Sequence, residues 1–296
     1  MIMSQIELKS ARTFSQRSSR SHVRYFFIRV VQALCLLAAT ASTSWAQAGD
    51  AGSAGHPAKS LTAQAGDPTA PLLQLQVTDA FAFSSYNADG YSNVFNFQPV
   101  IPVRKGGIIP VSQILRLTVP VVTTAGPDRK TGLGDTTFVD LFVANPAQWG
   151  IWGLGYTLVA PTAANDDLGQ GKWQLGPAAT TMYYGLQDWQ LGGLIQNPVS
   201  FAGDDERPNV NTLQIQPIVN YLKGDWYFGA GDFNWTYDWK QKEWTIPLAF
   251  QAGRISQIGE HKYNLSFEVE WTAVRPDDAV VPRWGIRLGL VLLLPE

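Results

Sequence analysis

Tyr263-Asn264-Leu265-Ser266-Phe267-Glu268-Val269-Glu270-Trp271-Thr272-Ala273 alternates without interruption: apolar and aromatic residues hold every second position, and polar residues, two of them carboxylates, hold the rest. Side chains of a β-strand point to opposite faces with a period of two, so this stretch has one oily face and one wet face. The next segment repeats the pattern. Trp284, Ile286, Leu288, Leu290, Leu292 and Leu294 share one face, and Arg287 stands among glycines on the other. A strand that crosses a bilayer within a barrel needs about 9–11 residues and an aromatic side chain near the interface. Both segments satisfy that requirement.

Outward from these two, the chain after Pro71 divides into about twelve alternating segments, at 73–83, 91–103, 108–121, 135–144, 150–160, 172–184, 189–202, 210–222, 226–237, 244–257, 262–274 and 284–294. Their connectors alternate in length. Short ones fall at 104–107, 145–149, 185–188, 223–225 and 259–261, and mostly longer ones at 84–90, 122–134, 161–171, 203–209, 238–243 and 275–283. In a closed antiparallel barrel with an even strand count, turns of one parity share a rim. The alternation therefore predicts an all-β, transmembrane, antiparallel up-and-down β-barrel of about 12 strands with both ends at the periplasmic rim. A mean hydropathy of -0.06 does not reveal such a barrel, because the lipid-facing and water-facing residues of each strand cancel.

Trp149, Trp173, Trp189, Trp226, Trp244, Trp271 and Trp284 fall near segment ends. There an indole keeps its N–H hydrated and its ring in lipid, so these residues are expected to form two interface girdles. The competing reading makes them core anchors of a soluble sandwich. Two features resist the barrel pattern. Pro99, Pro102, Pro110, Pro120, Pro177, Pro198, Pro217 and Pro247 lie inside the segments, and each removes a ladder donor, which calls for bulges, rim positions or different boundaries. Asp79 falls on the apolar face of 73–83.

Upstream, Arg12, Arg17, Arg20, Arg24 and Arg29 precede an apolar run from Val30 to Ala39, and then Ser44-Trp45-Ala46. This reads as a secretory signal over 1–46, cleaved after Ala46. The sole cysteine, Cys35, lies within it. Of the 22 basic and 24 acidic residues, six and one lie in 1–46, leaving 16 against 23 and a net charge of -7. With no basic cluster, nucleic acid is not an expected partner. Residues 47–71 are rich in Ala, Gly, Ser, Asp and Pro and repeat Ala-Gln-Ala-Gly-Asp at 46–50 and 63–67. Such a segment has too little apolar surface to offset its ordering entropy and reads as a flexible periplasmic tether, leaving 72–296 as the barrel.

Six runs carry a resemblance: Asn96-Phe97-Gln98-Pro99-Val100-Ile101-Pro102-Val103, Gly132-Leu133-Gly134-Asp135-Thr136, Gly171-Lys172-Trp173-Gln174-Leu175-Gly176-Pro177, Gly203-Asp204-Asp205-Glu206-Arg207, Thr236-Tyr237-Asp238-Trp239 and Trp284-Gly285-Ile286-Arg287. In that order they resemble the outer-membrane transporter family associated with the meta-cleavage pathway of phenol degradation. The resemblance spans roughly 72–296 and implies an outer-membrane barrel with the strand prolines as a family feature. It leaves the cargo unassigned. That family tends to finish near Leu-Phe-Pro-Lys, whereas this chain finishes Leu293-Leu294-Pro295-Glu296, without the aromatic.

Catalysis finds little support. After the signal only His56 and His261 remain, too few for a His-ligated metal site or a Ser-His-Asp arrangement in the barrel wall. No enzyme activity, cofactor or metal is expected. The polar strand faces are more informative: Asn96, Gln98, Arg116, Asp140, Gln214, Gln216, Arg254, Glu268, Glu270 and Arg287 are expected to line the lumen, with Asn220 beside them. They could select a solute or pair with one another and close the barrel. The adjacent aspartates Asp166-Asp167, Asp204-Asp205 and Asp277-Asp278 read as solvated turns or as sites for divalent cations bridging lipopolysaccharide.

Three functions follow as expectations. The first is a monomeric outer-membrane channel for passive passage of a small solute, hydrophobic and aromatic ones among the candidates. The second is a closed structural or surface-binding barrel that meets outer-membrane lipid and lipopolysaccharide. The third is a secreted β-protein with an internal cavity.

Overall fold

The computed structural model describes residues 64, 65, 67–106, 110–231, 233–259 and 261–294. The signal segment, Cys35, His56 and the tether up to residue 63 lie outside the described residues. The strands are β1 (Leu73–Ser85), β2 (Ser92–Val103), β3 (Ser112–Thr123), β4 (Thr131–Leu133), β5 (Thr136–Val143), β6 (Gly150–Ala160), β7 (Lys172–Tyr183), β8 (Trp189–Gln196), β9 (Val199–Gly203), β10 (Thr212–Lys223), β11 (Trp226–Ala230), β12 (Trp235–Asp238), β13 (Glu243–Ile258), β14 (His261–Val274) and β15 (Pro282–Leu294). Every paired neighbour is antiparallel, and β1 closes on β15 from Leu73 opposite Leu294 to Ser85 opposite Pro282. β4 and β5 both pair with β3, β8 and β9 both pair with β7, and β11 and β12 both pair with β10 and β13, so the fifteen strands make twelve staves of one closed barrel. Closure removes the sheet edges that an open sheet would expose.

The first and last strands meet at Leu73 and Leu294, so both ends of the barrel sit at one rim, together with the turns 104–111, 144–149, 184–188, 224–225 and 259–260. The opposite rim carries 86–91, 161–171, 204–211 and 275–281. β3 begins at Ser112, four residues later than its expected start, which lengthens that first turn.

Residues directly opposite in an antiparallel ladder share a face, so the register traces each face around the wall. Asn220, Gly229, Gln251, Glu268, Arg287 and Ala80 form one inward row. Between them, outward, Leu248, Phe250, Leu265, Phe267, Leu288 and Leu290 are all exposed. On the other half of the barrel Phe142, Trp152, Leu154, Leu175 and Ile195 continue this exposed surface. An apolar belt that runs around the wall far exceeds the patch of a few hundred Å² that a water-soluble monomer tolerates.

Seven of the eight strand prolines fall where one ladder is already interrupted or before a strand begins, while Pro102 pairs with Ile114 near the end of β2, beyond the last β1–β2 pair. Pro120 lies between the residues of β3 that pair with β4 and those that pair with β5. Pro198 separates β8 from β9, and Pro177 faces that break from β7. Stave nine breaks between Ala230 and Trp235, and Pro217 on β10 and Pro247 on β13 flank the gap. Pro99 sits in a two-residue gap of the β2–β3 ladder, and Pro110 precedes β3. A residue without an N–H is tolerated at such sites because no partner carbonyl depends on it. The Pro247 carbonyl is met by the Trp235 indole at 3.1 Å.

Candidate functional site

The break in stave nine shapes the lumen. From Asn220 to Ile215 on β10 is five steps, whereas their partners Gly229 and Trp235 are six apart. The extra residue is a bulge, which reverses the in-out parity between β11 and β12. The freed chain turns inward: Gly231, Phe233 and Asn234 line the cavity, and Phe233 is buried. At Gly231 a Cβ would stand 2.3 Å from the Glu268 carboxyl carbon, so any larger residue would oblige that carboxylate to move.

The lumen holds a cavity of about 520 Å³. Eight of the ten expected lumen residues line it: Asn96, Gln98, Arg116, Gln214, Gln216, Glu268, Glu270 and Arg287. Asp140 and Arg254 do not. Asp140 lies opposite Leu115 and Tyr156, on the outward face with Phe138 and Phe142; Gln113, also outward, donates to it at 3.4 Å. Arg254 lies opposite Trp226 and Leu265, and its guanidinium stands 5.4 Å from the Trp226 ring centroid. In both cases the true strand parity places the residue on the apolar face. A long cation near a strand end can reach the rim along an indole.

Glu268 and Arg287 are directly opposed on β14 and β15. Arg287 Nε lies 3.7 Å from Glu268 Oε1, and its Nη2 lies 3.4 Å from Glu270 Oε2. Glu268 is only 2 % exposed, and a carboxylate so removed from water needs a cation beside it.

Sequence reading missed the β1 contribution. Gln74, Gln76 and Thr78 line the cavity, and their period-two spacing was visible, but Asp79 in the alternate row obscured it. Asp79 faces outward and takes its hydrogen bond from the Asn93 amide. Thr118, Gln196, Gln251 and Asn264 also line the lumen.

Toward the rim that carries both barrel ends, apolar side chains gather inside the wall. Val100, Ile114, Val139, Leu141, Met182 and Leu194 pack together inside one half of the wall. Residues 67–70, expected to belong to the tether, are instead built into the other half. Ala70 and Leu72 pack on Ile255, Val291 and Leu293. The Asp67 carboxylate accepts from the Tyr184 hydroxyl at 2.9 Å and from the Thr69 amide at 2.9 Å. Burial and the Asp67 charge both push the Tyr184 phenol above its ordinary value. The physical reason for the correction is that Asp67 and Thr69 bond to each other and to the turn, so the segment needs little apolar area of its own.

Six of the seven singled-out tryptophans, all but Trp244, are exposed. Trp149, Trp189 and Trp226 stand at the rim with the barrel ends, and Trp173, Trp244, Trp271 and Trp284 at the other. Trp271 and Trp284 stack at 6.0 Å, while Trp244 packs on Tyr237 at 5.0 Å. Of the paired aspartates, Asp167 is taken by Lys130, whose ammonium the hydrogen bond and charge of Asp167 hold above its usual range. Asp204 accepts from the Glu206 amide at 2.9 Å. No group of three or more metal-ligating side chains occurs among the described residues.

No protein-family model matches the chain, and no curated protein matches it. Among solved structures it is similar to an outer membrane channel from Pseudomonas putida F1, at 14% identity over 75% of this chain and 94% of that one, with a TM-score of 0.49. It is also similar to the outer membrane phospholipase A of Escherichia coli, at 12% identity over 84% and 95% with a TM-score of 0.42. The calcium-bound dimeric phospholipase of Salmonella typhi gives 13% identity over 80% and 98%, with a TM-score of 0.37. The barrel assignment rests on the strand pairing of this chain itself.

Proposed function

We propose that this chain is an outer-membrane β-barrel that passes a small solute passively through its lumen. The observation that carries the reading is the contrast between the two faces of one wall: an apolar outward belt and an inward surface of amides and ion pairs around a cavity of about 520 Å³. An apolar exterior with a polar interior is the arrangement of a barrel whose solvent outside is lipid. The sequence resemblance to an outer-membrane transporter family points the same way. In this reading the signal is removed near Ala46, the exposed tryptophans sit at the two interfaces, and outer-membrane lipid and lipopolysaccharide are the surroundings of a monomer. This reading assigns no catalytic role to His261, which opens β14 beside the Tyr263 ring.

A second reading, a barrel closed to transport, is favoured by one observation: the Asp67–Leu72 segment and the apolar cluster fill the rim with the barrel ends. Purified protein in a planar bilayer separates the two. Conductance steps, or solute uptake into liposomes, support the channel; a silent bilayer together with no uptake supports the closed barrel.

A further inference from the structure

Two walls of the lumen carry hydrogen-bonded runs of primary amides. On the first, the Thr118 hydroxyl donates to Gln98 at 2.8 Å, Gln98 donates to Gln76 at 3.0 Å, and Gln76 donates to Gln74 at 2.6 Å. On the second, Gln251 donates to Asn220 at 3.1 Å and Asn220 donates to Gln190 at 3.3 Å. β2, which bears Gln98, and β10, which bears Asn220, are six staves apart in a ring of twelve, so the runs face each other across the cavity.

A primary amide has two N–H donors and a carbonyl with two lone pairs. Each link in the first run uses one of each, so Gln98 and Gln76 retain a donor and an acceptor for a guest. Formal charges in the lumen nearly cancel: Arg116 and Arg287 stand with Glu268 and Glu270, which leaves the Asp67 carboxylate, hydrogen-bonded by Tyr184 and Thr69 toward the rim with the barrel ends. An apolar guest would strip water from the amides and return no hydrogen bonds. A hydroxyl group, donor and acceptor at once, satisfies both sides of an amide.

We infer that the lumen takes an uncharged, hydroxyl-rich solute, of monosaccharide to disaccharide size, held between the two amide runs. The cavity volume lies within the range of roughly 300–1,000 Å³ usual for small-molecule sites. This deepens the channel reading and rests on the lumen being the solute path. It ranks such solutes ahead of hydrophobic and aromatic ones.

The test is saturation-transfer NMR on the full mature chain in detergent micelles, with glucose, gluconate and glucosamine as size-matched neutral, anionic and cationic probes. Glucose is expected to give the strongest transfer. Replacing Gln98 and Gln251 together by leucine should weaken glucose binding about three- to tenfold, the loss expected for one or two neutral hydrogen bonds. Gln98→Glu should shift preference toward glucosamine, which a merely structural role for Gln98 would not do. It also carries the test alone if the double variant loses the heat-modifiable migration of a folded barrel. Equal transfer from all three probes overturns the inference, as does a Gln98→Glu protein with unchanged preference. Potassium chloride conductance is measured on the same preparation. Conductance without glucose preference sinks the inference and leaves the channel standing; glucose binding without conductance does the reverse.

Discussion

Arg287 stands directly across the β14–β15 ladder from Glu268 and also reaches Glu270, so one guanidinium serves two lumen carboxylates. Arg287→Gln removes the cation from a nearly fully buried Glu268. The variant should lose up to about 3–5 kcal/mol of stability, the range for breaking a buried pair. Its channel should become more cation-selective, and a reversal potential in a salt gradient reads that shift. An unchanged reversal potential would remove these residues from the ion path.

Asp140→Leu provides the opposite expectation. Its carboxylate faces outward beside Tyr156 and Gln113, so the substitution should leave ion selectivity unaltered. It should be neutral or stabilising in a urea titration of the barrel, because a leucine suits the apolar face. A selectivity shift comparable to that of Arg287→Gln would place Asp140 in the lumen after all.

Gly231→Ala tests the inward bulge. The new methyl would meet the Glu268 carboxyl, and forcing an extra methyl into a filled site costs about 1–3 kcal/mol. The variant should unfold at lower urea concentration and show altered conductance. Wild-type values for both would mean that residues 231–234 do not press on Glu268.

Tyr184 reports on the rim with the barrel ends. Its folded phenol is raised above the unfolded value of about 10, so the hydrogen bond to Asp67 contributes fully below that pH. The contribution declines as pH rises above about 10, where the unfolded state loses its proton first. Tyr184→Phe should remove about 1 kcal/mol at pH 7 and flatten that alkaline decline in a urea titration. An alkaline decline identical to wild type would place its origin elsewhere.

The barrel was legible because its code is local. Period-two alternation from Tyr263 to Ala273 and from Trp284 to Leu294 sets two staves and puts Glu268, Glu270 and Arg287 on their polar faces; the ladder then sets Glu268 opposite Arg287. Eight of the ten residues expected in the lumen line the cavity. Parity failed at Asp140 and Arg254, where counting along a strand did not reveal which neighbours shared the face. The bulge beyond Ala230 falls inside the expected segment 226–237, and its direction depends on the spacing of partners on β10 and β13. The contact of Asp67 with Tyr184 was hidden for another reason: the two are 117 residues apart, and the composition around Asp67 matches that of a tether.

In the proposed function the lumen is a solute path, narrowed at one rim where Ala70 and Leu72 pack on Ile255, Val291 and Leu293. Single-channel recording of the mature chain beside a variant lacking 47–70 tests it most directly. The account predicts discrete steps in both, with larger or longer openings once Asp67 and Ala70 are gone. Silence from both proteins, each shown to be folded by heat-modifiable migration, would contradict it.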